Sequence, residues 1–408
     1  MVRLARVPAR LVSIDGYPQW DRSIVFMMTL IMLSACSVIS RGTSENTESS
    51  RAPYPRSRYV TGVTWDFSTV ASQRKAHGSD LWPCTWARDD NLYCAWGDGG
   101  GFDGDDDQIG RVSLGFARIE GIPSSEDPNG FEGKNVWGAA PKYAEHPATF
   151  GGKVATMISI DGTLYAFGAL WTEGNTADPA HRSEAGPVKT LIWSKDLGAT
   201  WEMAPWESEQ WGSFLNFGRD NSGAADSFVY IYYQRRGDRT RVYLKRVPKR
   251  SLTENPAVSS AYEYLTGVNR HGNARSWSSL ERDAAPVFVD RGEVDLNVVY
   301  DAPLGRFLVT AGHNPAGIPE KASAGQVGLF EGPHPWGPWR TIGYYDDWGK
   351  LGPESHGDYL GLVLPTAWMS ADGRTVWAIF SSLGRYDSFN VVKASLKLRR
   401  PIVTSAAH

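Results

Sequence analysis

The sequence lacks the features that mark several common classes of protein. Its formal net charge is only −3 over 408 residues, so it has no basic field of the kind that binds nucleic acid. It contains neither a phosphate-binding glycine loop nor a cysteine and histidine spacing typical of zinc sites. No long stretch shows a clean helical period. These absences argue against nucleic-acid binding, nucleotide-loop and zinc-finger chemistry, and a helical fold.

Long hydrophobic runs and cysteines are also scarce. The apolar run from Ile24 to Ala35 follows Arg22 and is about a dozen residues long, which fits a signal-peptide core better than a spanning helix. Its end, Leu33-Ser34-Ala35-Cys36, matches a bacterial lipobox, in which Cys36 becomes the lipid-modified first residue. We therefore expect an exported protein, lipid-anchored in the outer membrane or periplasm. An ordinary signal peptide with a chance cysteine is the alternative.

The other two of the three cysteines, Cys84 and Cys94, flank a polar turn at Arg88 to Asn91. Export permits a disulfide between them. A change of one residue in strand register would separate them. Pairing therefore depends on a register that the sequence leaves open.

Tryptophan and glycine are abundant, with 17 Trp and 43 Gly. This composition suits turn-rich β structure and surfaces that stack against sugar rings, although core packing explains most single tryptophans equally well. Aromatic strand segments recur with anchors at positions 93, 165, 230, 307 and 377, giving spacings of 72, 65, 77 and 70 residues. Such a period predicts an all-β fold, a five-bladed β-propeller of four-stranded antiparallel blades.

Each aromatic segment has a candidate strand before it and two after it, except the last, whose strands are Leu362 to Trp368, Thr375 to Ser381 and Phe389 to Leu396. The stretch Tyr59 to Phe67 can supply the missing outer strand and close the ring. We therefore divide the chain into a signal-peptide region (1–36), a flexible tether (37–58), the propeller (59–400) and a tail (401–408).

The segment Ser194 to Trp201 matches the Asp-box pattern S-x-D-x-G-x-T-W. This motif occupies the turn between the third and fourth strands of propeller blades, where its aspartate caps backbone groups. Asp196 is accordingly interpreted as structural and not catalytic.

Several blocks of the sequence carry a family resemblance: Ser79 to Pro83, Trp96 to Asp98, Val242 to Pro248, Phe330 to Trp339 and Pro365 to Ser370. Over roughly residues 60–398 the chain resembles exported bacterial five-bladed propellers of the DUF4185 type, part of which is similar to endo-D-arabinanases. The resemblance implies a propeller fold and glycoside hydrolase activity of the arabinanase-like or sialidase-like kind. It does not supply catalytic residues, which are inferred from topology.

The innermost strand of each propeller blade faces the central channel, so the residues that lead into it are candidate site residues. They are His77, Asp80, Glu145, His146, Trp211, Asn216, Glu293, Asp295, His356 and Asp358. Each one taken alone is also compatible with a solvated loop position.

Glycoside hydrolysis needs two carboxyl groups, one to protonate the leaving oxygen and one to activate water or attack the sugar. We predict Asp80 as the base, Glu293 as the acid and Asp98 as a supporting catalytic carboxylate. Predicted substrate-binding residues are His77, Trp82, Glu145, His146, Trp171, Trp211, Arg270, His271, Asp295, His313, His356 and Asp358.

Two other functions fit the sequence. A polysaccharide lyase acting on uronic-acid glycans would draw on the histidines and on Arg270 beside His271; a glycan-binding surface lipoprotein would need no catalysis. A sialidase is disfavoured, because only one complete Asp-box is present. We expect a monomer with a carbohydrate partner, a membrane contact through the lipid anchor and no cofactor. The acidic loop Gly97 to Asp107 could hold Ca²⁺ but lacks EF-hand spacing, and a solvated loop is the favoured interpretation.

Overall fold

Short antiparallel strands rich in aromatic and β-branched residues make up most of the fold, as these residue types favour a pleated, half-buried surface. The computed structural model describes residues 51–70, 75–104, 110–139, 143–171, 187–208, 211–259, 261–269, 271–290, 293–314, 326–346, 348–351, 360–381 and 387–399. The predicted signal region, the tail and Cys36 lie outside these residues.

Within the described residues the strands form four hydrogen-bonded sheets, and the largest of them consists of two antiparallel groups joined by one parallel strand contact. The five antiparallel groups are called the first to fifth sheets. The first sheet contains β2 (Cys84–Trp86), β3 (Leu92–Gly97), β4 (Leu114–Gly121) and β5 (Phe131–Trp137). The second sheet contains β6 (Gly151–Ile160), β7 (Thr163–Trp171), β8 (Val188–Ser194) and β9 (Glu202–Met203). The third contains β10 (Trp211–Asn216), β11 (Phe228–Arg235), β12 (Asp238–Pro248), β13 (Glu263–Leu265), β14 (Trp277–Ser278) and β15 (Pro286–Val289), the last pairing with β12.

The fourth sheet contains β16 (Glu293–Asp301), β17 (Arg306–Asn314), β18 (Val327–Gly332) and β19 (Arg340–Tyr345). The fifth contains β20 (Leu360–Val363), β21 (Thr375–Ser381), β22 (Asn390–Leu398) and the N-terminal β1 (Val60–Asp66). β1 pairs with β22 as the outer strand, which is the position expected for Tyr59 to Phe67. The only α-helix among the described residues is α1 (Lys249–Glu254); the 3-10 turns span Phe67–Thr69, Arg219–Asn221, Glu281–Asp283, Trp348–Leu351 and Thr366–Trp368.

Every predicted aromatic segment lies in the second strand of its sheet, namely β3, β7, β11, β17 or β21. The first strand of the first sheet begins at Cys84, so Asp80 leads into it from four residues upstream. One predicted boundary was wrong. The strand predicted from Leu362 to Trp368 ends at Val363, because Pro365 cannot donate to a ladder and a 3-10 turn follows it. The third sheet also carries β14 and β15, which the repeat did not predict.

The first strands of the sheets, called inner strands below (β2, β6, β10, β16 and β20), are linked to one another by hydrogen bonds. On β2, the Thr85 hydroxyl accepts a bond from the Ser159 amide of β6 and donates to Asn216 Oδ1 of β10, both at 2.9 Å. The Phe214 amide of β10 donates to Thr156 Oγ1 of β6 at 2.8 Å. These bonds hold the first three inner strands together at the centre of the fold.

Links continue through the later sheets. β10 and β16 pair in parallel. The Leu364 amide, just after β20, donates to Asn297 Oδ1 of β16 at 3.4 Å. The Leu81 amide, ahead of β2, donates to Ser381 Oγ at the end of β21 at 3.3 Å. The fifth sheet is thus bonded to the fourth on one side and to the segment before the first sheet on the other.

Apolar packing follows the same order. The described residues form five buried apolar clusters, four of them between sheets that follow one another in the chain and the fifth between the last sheet and the first. Representative pairs of cluster members are Ala95 and Val154, Phe167 and Phe214, Leu244 and Val309, Leu308 and Phe380, and Cys94 and Ile379. Burial between sheets, which stabilises by about 25 cal/mol per Å² of apolar surface, is the main energetic term that holds them together.

The last part of the predicted tether is packed against the fourth sheet. The Thr341 amide of β19 donates to the Pro55 carbonyl at 2.9 Å, and the Ser57 amide donates to the Thr341 carbonyl at 2.8 Å. The ring of Tyr54 lies 5.1 Å from that of Phe288. The folded part of the chain therefore begins before residue 58. No helix among the described residues is both long enough and apolar enough to span a bilayer.

Candidate active site

The segment that precedes β2 holds Asp80 in a strained backbone. Asp80 forms an isolated bridge with Gly97 at the end of β3, with both amide–carbonyl distances at 2.9 Å. The next two residues, Leu81 and Trp82, have φ values of 74° and 55°. Left-handed backbone is uncommon for bulky residues and costs roughly 1–3 kcal/mol at each position. Such strain concentrates at functional sites, and here it turns the chain sharply beside a carboxyl group.

The carboxyl group of Asp80 is in an unusual environment. Its Oδ1 atom is buried and has no hydrogen-bond partner. Burial raises the pKa of Asp80 to about 7; Lys153 and Arg111 oppose this effect, while Asp387 and Asp98 add to it. Burial disfavours the charged form, and neighbouring carboxylates do the same. Asp80 therefore exchanges a proton near neutral pH, which suits general acid or base catalysis.

An ion pair lies next to this carboxyl group. The Lys153 ammonium on β6 donates to Asp98 Oδ1 at 2.5 Å and to the Ser113 carbonyl at 3.1 Å. Arg111 lies 3.9 Å from the other oxygen of Asp98. Asp98 itself has a φ of 51°, again in the left-handed region. Asp98 thus pairs with Lys153 and lies within 3.9 Å of a second cation, Arg111; its supporting catalytic role stays a prediction.

Glycine at position 97 permits this arrangement. A Cβ atom there would lie 2.6 Å from Asp80 Oδ1, 2.8 Å from Lys153 Cδ and 2.9 Å from Lys153 Nζ. Real Cβ atoms do not make such contacts, so only glycine lets the carboxyl group and the ammonium approach the same face of β3.

Three of these groups, Lys153, Arg111 and Asp387, were missed in the sequence. Asp387 precedes β22, and its carbonyl accepts the Gly78 amide at 2.7 Å. One signal was available for Lys153: it is a lone cation near the start of β6, a strand that is otherwise almost fully buried. No local pattern pointed to Asp387, which a distant part of the chain brings to Asp80, or to Arg111, which lies in the connection between β3 and β4.

Four predicted binding residues lie elsewhere. Trp82 is fully buried, with its indole N–H donating to the Ser79 and Ser388 carbonyls, so it is a core residue and not a sugar platform. Glu145 is exposed and pairs with Lys134 on β5, at 2.5 Å. His146 bridges to Trp137 at the end of β5. His271 is exposed in the turn between β13 and β14. Glu145, His146 and His271 lie beside outer strands, because the connections that carry them run back along the edges of their sheets.

Two predicted binding residues keep positions compatible with their role. His77 is exposed and lies three residues before Asp80. Trp171 is half-buried at the end of β7, opposite Gly151 at the start of β6, two residues from Lys153.

For other predicted residues only the backbone is described. Trp211 is the first residue of β10, and Glu293 and Asp295 are the first and third residues of β16. His313, on β17, pairs with Val294 of β16. Glu293 thus lies at the start of an inner strand, as expected. Arg270, His356 and Asp358 lie outside the described residues.

The acidic loop after β3 is tied to the first sheet through Asp103. Its carboxylate accepts the Asn135 amide at 2.8 Å. The Asn135 side chain in turn accepts the Phe102 amide and donates to the Gly100 carbonyl. Among the described residues no group of three potential metal ligands occurs. Asp103 therefore anchors the described part of this loop, and Asp105 to Asp107 lie outside the described residues.

The structure also bonds Cys84 to Cys94. The two residues are directly paired across β2 and β3, with a Cα–Cα distance of 4.1 Å. The register that the sequence left open is the one that brings the thiols together.

Comparison with known proteins gives structural similarities of low score. No protein-family model matches the chain, and no curated protein matches it. Solved structures that resemble it include a thermostable family-43 glycoside hydrolase (11% identity, TM-score 0.43, covering 83% of this chain and 99% of that one). A GH43_1 enzyme from Xanthomonas citri aligns at 9% identity and TM-score 0.45, covering 82% and 92%. The family 117 glycoside hydrolase Zg3597 from Zobellia galactanivorans aligns at 10% and 0.41, covering 85% and 95%.

These identities and TM-scores are too low to assign a family or an activity. The resemblance to the DUF4185 family accordingly stays a prediction.

Proposed function

We propose that this protein is a glycoside hydrolase in which Asp80 is the general base. The observation that carries the proposal is the Asp80 carboxyl group, which is buried beside Asp98 and Lys153 with an unpartnered oxygen and a pKa raised to about 7. A purely structural carboxylate is normally ionised and fully hydrogen-bonded. Strained backbone at Leu81 and Trp82 adds to the case.

The proposed reaction is two-carboxylate hydrolysis. Ionised Asp80 takes a proton from water as the water oxygen bonds to the anomeric carbon. The glycosidic C–O bond breaks, and a protonated Glu293 gives its proton to the leaving oxygen. Asp98, which pairs with Lys153, would be the supporting carboxylate beside the base. Glu293 is proposed as the acid because it begins an inner strand of the fourth sheet.

We further propose that the five sheets are blades of a closed five-bladed propeller. Three features support closure: the hydrogen bonds between successive inner strands, the bond from Leu81 to Ser381, and the apolar cluster shared by the last and first sheets. In a propeller, the segments that lead into inner strands meet at one mouth of the channel. Asp80 and Glu293 would both lie there.

The test is a substrate screen with the full chain. Arabinans are tested first, alongside uronic-acid glycans and sialosides, with chromatographic analysis of products. Asp80→Asn should lower turnover by about 10²–10⁴-fold while retaining binding of the substrate. The matched control is Glu120→Gln, an exposed acid on β4 paired with Arg118, which should turn over like the wild type.

Two results would reject the hydrolase proposal. One is release of products with the ultraviolet absorbance of an unsaturated uronate, which indicates a lyase. The structure gives that alternative little support, because His146 and His271 lie beside outer strands of different sheets. The other is tight glycan binding with no product from any glycan, which indicates a binding protein.

The substrate would reach the protein at the cell envelope. We propose lipid attachment at Cys36 on the strength of the lipobox. Cys36→Ala should move the protein from the membrane fraction to the soluble fraction, with its activity unchanged. A wild-type protein that fractionates as soluble would contradict the anchor.

A further inference from the structure

The Lys153 side chain approaches Asp80 across Gly97, where only glycine leaves enough room. Lys153 lies on β6 of the second sheet, whereas Asp80 and Gly97 belong to the first. A Cβ atom placed on Gly97 would lie within 2.9 Å of both Asp80 Oδ1 and Lys153 Nζ. The ammonium and the carboxyl group therefore face the same point, although no direct hydrogen bond joins them.

The ammonium is held in place from the opposite side. It donates to Asp98 Oδ1 and to the Ser113 carbonyl. Ser113 is itself fixed, because its hydroxyl accepts the Gly152 amide at 3.0 Å. With two such contacts a flexible lysine has one preferred position, and its charge acts on Asp80 from a fixed direction.

The charges around Asp80 come from four segments. Lys153 and Arg111 favour its ionised form, and Asp387 and Asp98 disfavour it, while burial disfavours it most. Lys153 is the strongest of the charges that act on the group. Arg111 is the second cation, and its guanidinium lies 3.9 Å from Asp98 Oδ2, the oxygen that Lys153 does not contact.

We propose that Lys153 is a positioning residue that sets the protonation state of Asp80: anchored by Asp98 and Ser113, it holds its charge across Gly97 and lets a buried carboxyl group ionise at neutral pH. The inference rests on the proposed function for its importance to catalysis. The coupling of Lys153 to Asp80 does not depend on catalysis and is inferred from the geometry.

The decisive experiment measures the protonation of Asp80 directly. Carboxyl carbons of aspartate are followed by ¹³C NMR from pH 4 to pH 9 in the full chain, and Asp80→Asn identifies the resonance. Lys153→Met and Lys153→Gln remove the charge, and the glutamine retains a donor for Asp98. In either variant that folds, the titration midpoint of Asp80 should lie about one pH unit higher than in the wild type. This shift is at the low end of the effect that an opposite charge has at this range.

Two controls separate this role from a general one. Lys153→Arg keeps the charge and should restore the midpoint to within a few tenths of a unit. Lys249→Met removes a surface lysine that pairs with Asp161 and should leave the midpoint unchanged. An unaltered Asp80 midpoint in folded Lys153→Met or Lys153→Gln overturns the proposal.

Activity gives the second readout. If the protein hydrolyses a glycan, the acidic limb of the kcat/KM profile should move upward by the same amount in Lys153→Met, with the plateau at high pH changed less. If no glycan is hydrolysed, the proposed function fails while the NMR titration still decides the role of Lys153.

Discussion

Thr85 on β2 and Asn216 on β10 are joined by a hydrogen bond of 2.9 Å between side chains that lie 131 residues apart in the chain. The same hydroxyl accepts the Ser159 amide of β6. One buried side chain thus connects the inner strands of the first three sheets. Its removal leaves two polar groups without partners in a closely packed centre.

We predict that Thr85→Val, which keeps the shape of the side chain, lowers the free energy of unfolding by about 1–3 kcal/mol. The reason is that the Ser159 amide and the Oδ1 atom of Asn216 each lose a partner among buried residues. Chemical denaturation monitored by tryptophan fluorescence measures the change. Thr61→Val removes an exposed hydroxyl on β1 and should change the free energy of unfolding by at most about 0.5 kcal/mol. Equal effects at both sites would contradict a special role for Thr85.

The repeat in the sequence predicted the sheets well because it is carried by local chemistry. Tyr93, Tyr165, Tyr230, Phe307 and Trp377 lie in the second strand of each sheet, where a strand is covered by neighbours on both edges and both faces. Aromatic and β-branched residues are selected at such positions by packing. The short outer strand β9 and the extra strands β14 and β15 bury less, so their signal is weaker.

The candidate site was predicted only in part. Asp80 could be named because it leads into the first strand of its sheet, and Asp98 because it directly follows the strand paired with that one. Lys153 carried only the signal of a lone cation on a buried strand, because its contact with Asp98 spans 55 residues and depends on how two sheets pack. Trp82 was misassigned because core tryptophans and sugar-stacking tryptophans look alike in a sequence. The two differ only in what surrounds the ring.

The disulfide between Cys84 and Cys94 stabilises the shortest inner strand. Replacing both cysteines with alanine should lower the free energy of unfolding by about 2 kcal/mol, because the crosslink closes a loop of only about ten residues. Thermal unfolding with and without reductant measures the effect. Reductant should lower the melting temperature of the wild type and leave the double variant unchanged. A reductant effect on the double variant would show that the loss has another origin.

Asp196 should matter for stability alone. Its carboxylate accepts bonds from the Ser194 hydroxyl and from the amide and hydroxyl of Thr200. Burial acts against the charged form, but these bonds outweigh it and lower the pKa of Asp196. Asp196→Ala should cost about 1–2 kcal/mol of unfolding free energy and leave kcat/KM unchanged. Lys195→Ala in the same turn, with an exposed side chain, is the control for stability. A large fall in kcat/KM for Asp196→Ala would contradict the structural assignment.

Asp80 should destabilise the folded protein at the pH where we propose that it acts. Burial raises its pKa to about 7 in the folded state, against about 4 in an unfolded chain. The folded state then binds the proton more tightly, so the stabilisation by protonated Asp80 is complete below about pH 4 and is lost as the pH rises through about 7. Asp80→Asn cannot ionise and should escape this loss. At pH 8 it should be more stable than the wild type by about 1 kcal/mol or more, with little difference at pH 4.

Denaturation curves at pH 4, 6 and 8 test this, with Glu120→Gln expected to follow the wild type at each pH. A difference between Asp80→Asn and the wild type that is constant with pH would mean that the pKa of Asp80 is the same in the folded and unfolded states. In that case the carboxyl group would resemble an ordinary surface aspartate, and its burial would need another explanation. The predicted curve instead describes a group whose ionisation is costly to the fold, which is the trade-off between stability and activity found at catalytic sites.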